Sequence, residues 1–261
     1  MLTIDLKDKT ALITGVSSGV GKGIAKILAR AGCNISGCGR SSDDSEGPQA
    51  FYGIMEKEGA QAIYTSLDIT SSLDQKRLVQ KTISTFGGID ILVSNAGVNI
   101  FKGAANCTEE QWTLNMDLNL KSHWRLSKLC KPWLEKSQKG VILIMTSNHS
   151  SYTIPGCFPY NVSKTALKGL VQSLAIEWGP AIRTVGIAPG FIDTKGNQKW
   201  FDSFPDSHKE RQRTIDTHPV KKIGTAEEVG MLCAFLASDA AGFISGTTYL
   251  IDGGRSALMQ S

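Results

Sequence analysis

The chain has 261 residues, of which 41% are hydrophobic and 20% charged, and a net charge of +4. This is too apolar for a disordered chain and sufficient for one large α/β domain. Basic and acidic residues are interspersed, and the densest basic stretch, Lys209 to Arg213, is broken by Glu210, which excludes the clustered basic face that nucleic-acid binding requires.

Short β-like runs alternate with helical patterns along the whole chain. Thr10 to Thr14 reads as the first strand, followed by helical spacing from Val20 to Ala31. The strands Asn34 to Gly37 and Ala62 to Leu67 flank a helix from Gln49 to Glu58, and a helix from Leu73 to Phe86 leads to the strand Asp90 to Ser94. One long helix is expected over Thr108 to Lys136, then the strand Val141 to Thr146, a helix over Ser163 to Trp178 and the strand Thr184 to Ala188. Ala226 to Ala237 and Thr248 to Ile251 close the series as helix and strand. Such βα alternation with apolar strands predicts a doubly wound parallel sheet of about seven strands, covered by helices on both faces. No linker divides it, so the expectation is a single domain over 1–261. The rhythm fails between Thr194 and Val220, a polar stretch carrying Trp200, Phe201 and Phe204. A long irregular segment near the carboxyl edge of such a sheet is commonly a functional loop, so a substrate lid is expected over 191–220.

The longest apolar run, Met231 to Ala237, is far too short to span a bilayer. The amino-terminal residues mix acids with bases and lack a signal-peptide core, so a cytoplasmic protein with no membrane partner is expected. Six cysteines, at positions 33, 38, 107, 130, 157 and 233, form no Cys-x-x-Cys pair and no zinc spacing with histidines. They read as reduced packing residues, and no metal site is expected.

Three features point to chemistry. Thr14-Gly15-Val16-Ser17-Ser18-Gly19-Val20-Gly21 lies where the first strand turns into the first helix. Glycines there permit a tight turn and close approach of backbone N–H groups to a pyrophosphate at the positive helix end. The second strand runs into Gly37-Cys38-Gly39-Arg40, where an acid would bond the ribose 2′-OH of NAD and an arginine would pair with the 2′-phosphate of NADP. Arg40 favours NADP, with NAD as the alternative should Asp43 or Asp44 fold back. Finally, Tyr160 and Lys164 lie four residues apart, one turn of a helix, with Ser147 thirteen residues before the tyrosine. A phenol titrates at about 10, so it serves as an acid/base near neutrality only beside a charge such as that of Lys164.

Together these residues resemble the short-chain dehydrogenase/reductase family in its single-domain type, over nearly the whole chain. Thr14 to Gly21 resembles its cofactor motif, Asp68 its adenine-contacting aspartate, with Ile69 beside it, and Asn95-Ala96-Gly97 its strand end. Asn119, Ser147, Tyr160 and Lys164 match the catalytic four in order and spacing. Pro189 and Gly190, with Ile192 and Thr194, resemble the segment that holds the nicotinamide, and Ile251-Asp252-Gly253-Gly254 resembles the closing signature. Departures are Ser94 and Gly186 at positions where asparagine is usual, and Ser18 where a basic residue often precedes the second glycine. The resemblance implies hydride exchange between a nicotinamide cofactor and a carbonyl or alcohol. Tyr160 would act as acid/base and Ser147 as carbonyl donor. Lys164 would lower the tyrosine pKa and bond the nicotinamide ribose, and Asn119 would hold a water. It also implies a homotetramer or homodimer built through the two long helices.

The substrate pocket is expected among Asn148, His149 and Tyr152, the stretch Gly156 to Phe158, Val98 and Asn99, and Asn197, Gln198 and Trp200. Of these, His149, Phe158 and Trp200 are the principal candidates for substrate contact beside Ser147 and Tyr160. Side chains that both donate and accept favour a compact sugar, sugar acid or polyol. The rival expectations are a 3-oxoacyl thioester, whose acidic carrier would dock on Lys102, Lys195 and Lys199, and a catalytically silent NADP-binding sensor or scaffold.

Overall fold

The computed structural model describes residues 4–258. Strand β1 (Thr10–Thr14), helix α1 (Gly19–Arg30), β2 (Asn34–Gly39), α2 (Glu46–Lys57), β3 (Ala62–Ser66), α3 (Ser72–Phe86) and β4 (Ile91–Ser94) form the first half. The second half comprises α4 (Glu109–Met116), α5 (Ser122–Lys136), β5 (Gly140–Met145), α6 (Tyr160–Trp178) and β6 (Ile182–Pro189). It continues with β7 (Ile192–Asp193), α7 (Lys195–Phe201), α8 (Ser207–Asp216), β8 (Gly224–Thr225), α9 (Ala226–Ala237) and β9 (Thr248–Ile251). Seven parallel strands pair in the order β3-β2-β1-β4-β5-β6-β9, and β7 pairs with β8 apart from them.

Strand periodicity explains both helical layers. Successive side chains point to opposite faces, so Ile13, Val93, Leu143 and Val185 join Ile24 and Leu28 of α1, Phe51 of α2 and Val229 of α9 in one core. Leu12, Leu92, Ile142 and Ile144 join Leu78 of α3, Leu126 and Cys130 of α5 and Leu167 of α6 in the other. Central strands buried on both sides read as continuous apolar runs, and this is the doubly wound Rossmann-type arrangement.

Four regions differ from the sequence expectation, one of them α6, which starts at Tyr160, three residues before the expected Ser163. The single helix expected over Thr108 to Lys136 begins at Glu109, where Thr108 and Gln111 cap each other's N–H groups, and is then interrupted by a π-helical turn, Asp117–Lys121. Helix α2 starts three residues early, since Pro48 falls in its first turn, where a missing N–H costs nothing. The irregular segment after Thr194 contains two helices. Both are held by caps rather than by an apolar stripe: Thr194 accepts from the Asn197 N–H at 3.2 Å and Asp206 from the Lys209 N–H at 2.9 Å, so hydrophobic periodicity could not reveal them.

Candidate active site

The strand order reverses between β1 and β4, which are neighbours in space; their carboxyl ends flank the crevice where ligands bind in such sheets. There the Thr14 hydroxyl accepts the backbone N–H groups of Asn95 at 2.9 Å and Ala96 at 2.8 Å, while Asn95 Nδ2 donates to the Thr14 carbonyl at 2.8 Å. The glycine turn beside it is closely fitted. Gly15 and Gly19 have φ of +79° and +56°, and a Cβ on Gly21 would lie 2.2 Å from the Gly15 carbonyl oxygen. Ser18 precedes α1 without capping it through its side chain, so that side chain does not occupy the first-turn N–H groups. A turn closed to a Cβ at Gly21 and left-handed at Gly15 and Gly19, leading into such a helix end, fits a dinucleotide pyrophosphate. Ser17 and Val20 line the same turn, half-buried.

Arg40 emerges from β2 exposed and makes no ion pair among the described residues. Of the rival acids, Asp44 is engaged, its carboxyl drawn below its ordinary range by the Ser42 hydroxyl; at Asp43 the backbone carbonyl accepts from Gln49 Nε2 at 2.9 Å. Asp68 is oriented by its own turn, accepting from both the N–H and the hydroxyl of Thr70 at 2.9 Å. Ile69 beside it is buried.

Tyr160 is the first residue of α6 and Lys164 lies one turn on, its Nζ 5.6 Å from the phenol ring centroid. Both are more than 90% buried. Lys164 Nζ donates to the Met145 carbonyl at 2.9 Å, and burial lowers its pKa to about 8. Burial raises the Tyr160 phenol to about 12, a shift that the Ser147 hydroxyl opposes. The sequence reading had the lysine charge lowering the tyrosine; here desolvation dominates both groups. A Cβ on Gly97 would lie 2.7 Å from Asn119 Oδ1 and 3.5 Å from Lys164 Nζ, so Gly97 is the gap through which these two side chains face the β4 end. Asn119, in the π turn, accepts from the Val98 N–H and donates to the Val98 carbonyl, each at 3.0 Å. Ser147 lies two residues beyond β5 and caps the 3₁₀ turn Asn148–Ser150, its oxygen accepting from the His149 N–H at 3.2 Å.

The expected substrate residues part company. His149 lies edge-on to Tyr160, with centroids 6.2 Å apart. Phe158 instead stacks on Trp112 at 5.5 Å, because the backbone on either side of it is zipped to residues 101–103. There the Lys102 N–H donates to the Phe158 carbonyl at 2.8 Å, and Phe101 bridges to Pro159. Trp200 belongs to a cluster with Phe191, Phe201 and Phe204 at 4.9 to 5.6 Å. Phe101, absent from the sequence reading, is 41% exposed and sits 5.3 Å from the Tyr160 ring; its only sequence signal is its place shortly after Asn95-Ala96-Gly97. Pro189 ends β6 and Gly190 packs on Asp252, where a Cβ would lie 2.5 Å from the aspartate's own. Thr194 approaches the glycine turn, its Cγ2 3.6 Å from where a Cβ of Gly19 would stand, and Ile192 is buried in the core that contains α1 and α9. Of the expected docking lysines, Lys195 is paired with Glu46. Ser94 bonds His123 Nδ1 at 2.8 Å, and Gly186 leaves room for Thr248, whose hydroxyl a Cβ would meet at 2.3 Å.

Comparison with known proteins agrees with this geometry. A family model described as enoyl-(acyl carrier protein) reductase matches residues 15–256. Human dehydrogenase/reductase SDR family member 4 is 36% identical over 253 residues, covering 95% of this chain and 88% of its own. The ligand-free aldohexose dehydrogenase of Thermoplasma acidophilum superposes with a TM-score of 0.89 at 27% identity, over 100% of this chain and 98% of its own. A 7α-hydroxysteroid dehydrogenase complexed with NADH and a 7-oxo bile acid does so at 0.88 with 31% identity, over 97% and 96%. The protein therefore belongs to the short-chain dehydrogenase/reductase family and is a nicotinamide-dependent oxidoreductase acting between an alcohol and a carbonyl.

Proposed function

We propose that the protein reduces a small polar carbonyl compound, a sugar, sugar acid or polyol precursor, with NADPH, and that Tyr160 is its proton donor. The observation that carries this reading is the buried Tyr160–Lys164 pair at the start of α6, flanked by Ser147 and facing Gly97. A bound nicotinamide supplies or accepts the hydride. The residues of the chain do the rest. Ser147 Oγ donates a hydrogen bond to the substrate oxygen, which stabilises the negative charge growing there. Tyr160, protonated throughout the neutral range with a pKa of about 12, hands its proton to that oxygen. Lys164 then balances the phenolate, since an ammonium beside a newly formed anion favours it. Asn119 fixes the loop at Val98 and, with Lys164, leads the replacement proton in from solvent. Thr14, Gly15, Ser17, Ser18, Gly19, Val20 and Gly21 cradle the pyrophosphate, Asp68 and Ile69 hold the adenine, and Asn95, Ala96, Pro189, Gly190, Ile192 and Thr194 hold the nicotinamide end.

Arg40 supports the preference for the 2′-phosphate, because it stands exposed at the end of β2 while the Asp44 carboxyl is engaged by Ser42. His149 and the Phe101 ring supply a polar edge and an apolar wall beside the phenol, a pairing suited to a sugar's hydroxyls and its C–H face. Residues 191–220 act as the lid. A carrier-protein thioester is the less favoured substrate, since Lys195 is occupied by Glu46. All six cysteines are free, in keeping with a reducing cytoplasm. Leu114, Trp124 and Ile176 stand exposed on α4, α5 and α6, where a second copy would cover them in a homodimer or homotetramer.

The test is a panel of aldoses, uronic acids, polyols, ketones and acyl thioesters, run with NADP(H) and NAD(H) against wild type and Tyr160→Phe. Turnover of sugars or polyols by wild type and its loss in the variant, with cofactor binding kept, is expected. Tight cofactor binding with no turnover of anything in the panel would favour a sensor instead.

A further inference from the structure

Asn115 lies on α4 one turn before Asn119 and is fully buried. Its Oδ1 accepts from Asn119 Nδ2 at 2.8 Å, and its own Nδ2 donates to the carbonyl of Pro159, the residue before Tyr160, at 3.1 Å. Asn119 in turn grips both backbone groups of Val98. One unbroken chain of hydrogen bonds thus runs from the loop after β4, through the π turn, to Pro159, the residue just before α6.

We propose that Asn115 is a positioning residue that sets the Tyr160 phenol relative to Asn119 and the β4 loop, a role resting on the assignment of Tyr160 as proton donor. An amide is required at this place because one end must accept and the other donate. Leucine provides neither, and valine or threonine is too short to bridge both partners. Aspartate has the right shape but, when ionised, accepts only, so it would keep the bond from Asn119 and oppose the Pro159 carbonyl. Protonated, it regains a donor and restores the chain.

The experiment compares wild type, Asn115→Leu, Asn115→Asp and Tyr160→Phe, using DL-glyceraldehyde and ethyl pyruvate as carbonyl probes with NADPH, alongside NADPH binding, thermal midpoints and hydrogen exchange. Asn115→Leu is expected to lose at least about tenfold in kcat, as misplacing a reacting group by a fraction of an ångström does, with NADPH affinity unchanged. Asn115→Asp is expected to lose as much at neutral pH and to approach wild type as pH falls; this recovery would not follow from a merely structural role. In both variants exchange should quicken in the peptide spanning residues 156–163 and not in strands β1 and β2, a readout that needs no turnover and replaces kcat if neither probe reacts. A correctly folded Asn115→Leu enzyme with wild-type kcat, or wild-type exchange at 156–163, overturns the proposal. If Asn115→Leu does not fold, a pH-independent kcat ratio for Asn115→Asp overturns it. Should Tyr160→Phe itself stay active, the failure belongs to the proton-donor assignment.

Discussion

Thr14 and Asn95 hold each other reciprocally: the threonine hydroxyl takes the asparagine backbone N–H at 2.9 Å, and the asparagine amide returns a hydrogen bond to the threonine carbonyl at 2.8 Å. This ties the carboxyl end of β1 to that of β4 across the point where the strand order reverses. Thr14→Val keeps the shape but strips a partner from the N–H groups of both Asn95 and Ala96. The expected cost is about 2 kcal/mol in urea unfolding, with weaker NADPH binding, and Thr14→Ser should recover most of both. Equal stability of the valine variant would contradict the role given to the hydroxyl.

Lys164 carries its charge below a pKa of about 8 and loses it above, whereas Tyr160 keeps its proton up to about 12. In the reducing direction, kcat/KM for NADPH, which reports the unliganded enzyme, should therefore fall as pH rises through about 8. The lysine is the cause of that limb. Lys164→Arg, charged at every accessible pH, should lower activity and abolish the limb; a limb unchanged in that variant would assign it to another group.

Arg40→Asp replaces a cation suited to the 2′-phosphate with an acid suited to the 2′-hydroxyl. The ratio of kcat/KM with NADP to that with NAD should drop by about tenfold or more, the worth of one charge-assisted hydrogen bond. Steady-state kinetics with each cofactor measures it, and an unmoved ratio removes Arg40 from cofactor choice.

His123 is buried against Ser94, and burial, with the Lys164 charge, pushes its pKa down from 6.5 to about 3. The unfolded chain therefore binds a proton between those values that the folded chain refuses, and stability falls as pH drops through that window. The expected slope is about 1.4 kcal/mol per pH unit from this group. His123→Gln can still bond Ser94 and does not titrate, so its acid unfolding profile should be shallower by that amount. Parallel profiles for the two proteins would show that His123 plays no part.

The strands and the sheet were legible in the sequence because central strands buried on both faces leave uninterrupted apolar runs, such as Val141 to Met145. The glycine turn and the Tyr160–Lys164 spacing were legible because their chemistry needs fixed residue types at fixed offsets. What escaped depends on contacts distant in sequence. Phe101 meets Tyr160 only because residues 101–103 zip to 156–159, and Phe158 turns away to Trp112 for the same reason. The depressed lysine and elevated tyrosine follow from burial, which spacing does not encode. Helix α8 has no apolar stripe to betray it and rests on the Asp206 cap and the Glu210–Arg213 pair.

The π turn at Asp117–Lys121 also makes the length of this region critical. A π turn holds one residue more than the α turn it replaces, so α4 and α5 keep their faces only at this residue count, and a further residue inserted in the turn would rotate everything beyond it by the roughly 100° that an α-helix advances per residue. Leu126, Cys130 and Leu134, all fully buried against the sheet, would swing off their seats while Asn115 kept its place. Point substitutions in the turn are therefore a milder insult than an added residue, and an insertion scan of residues 117–121 should find the protein far less tolerant there than at the surface turn around Gly87 and Gly88, where a Cβ on either glycine would meet nothing within 4 Å.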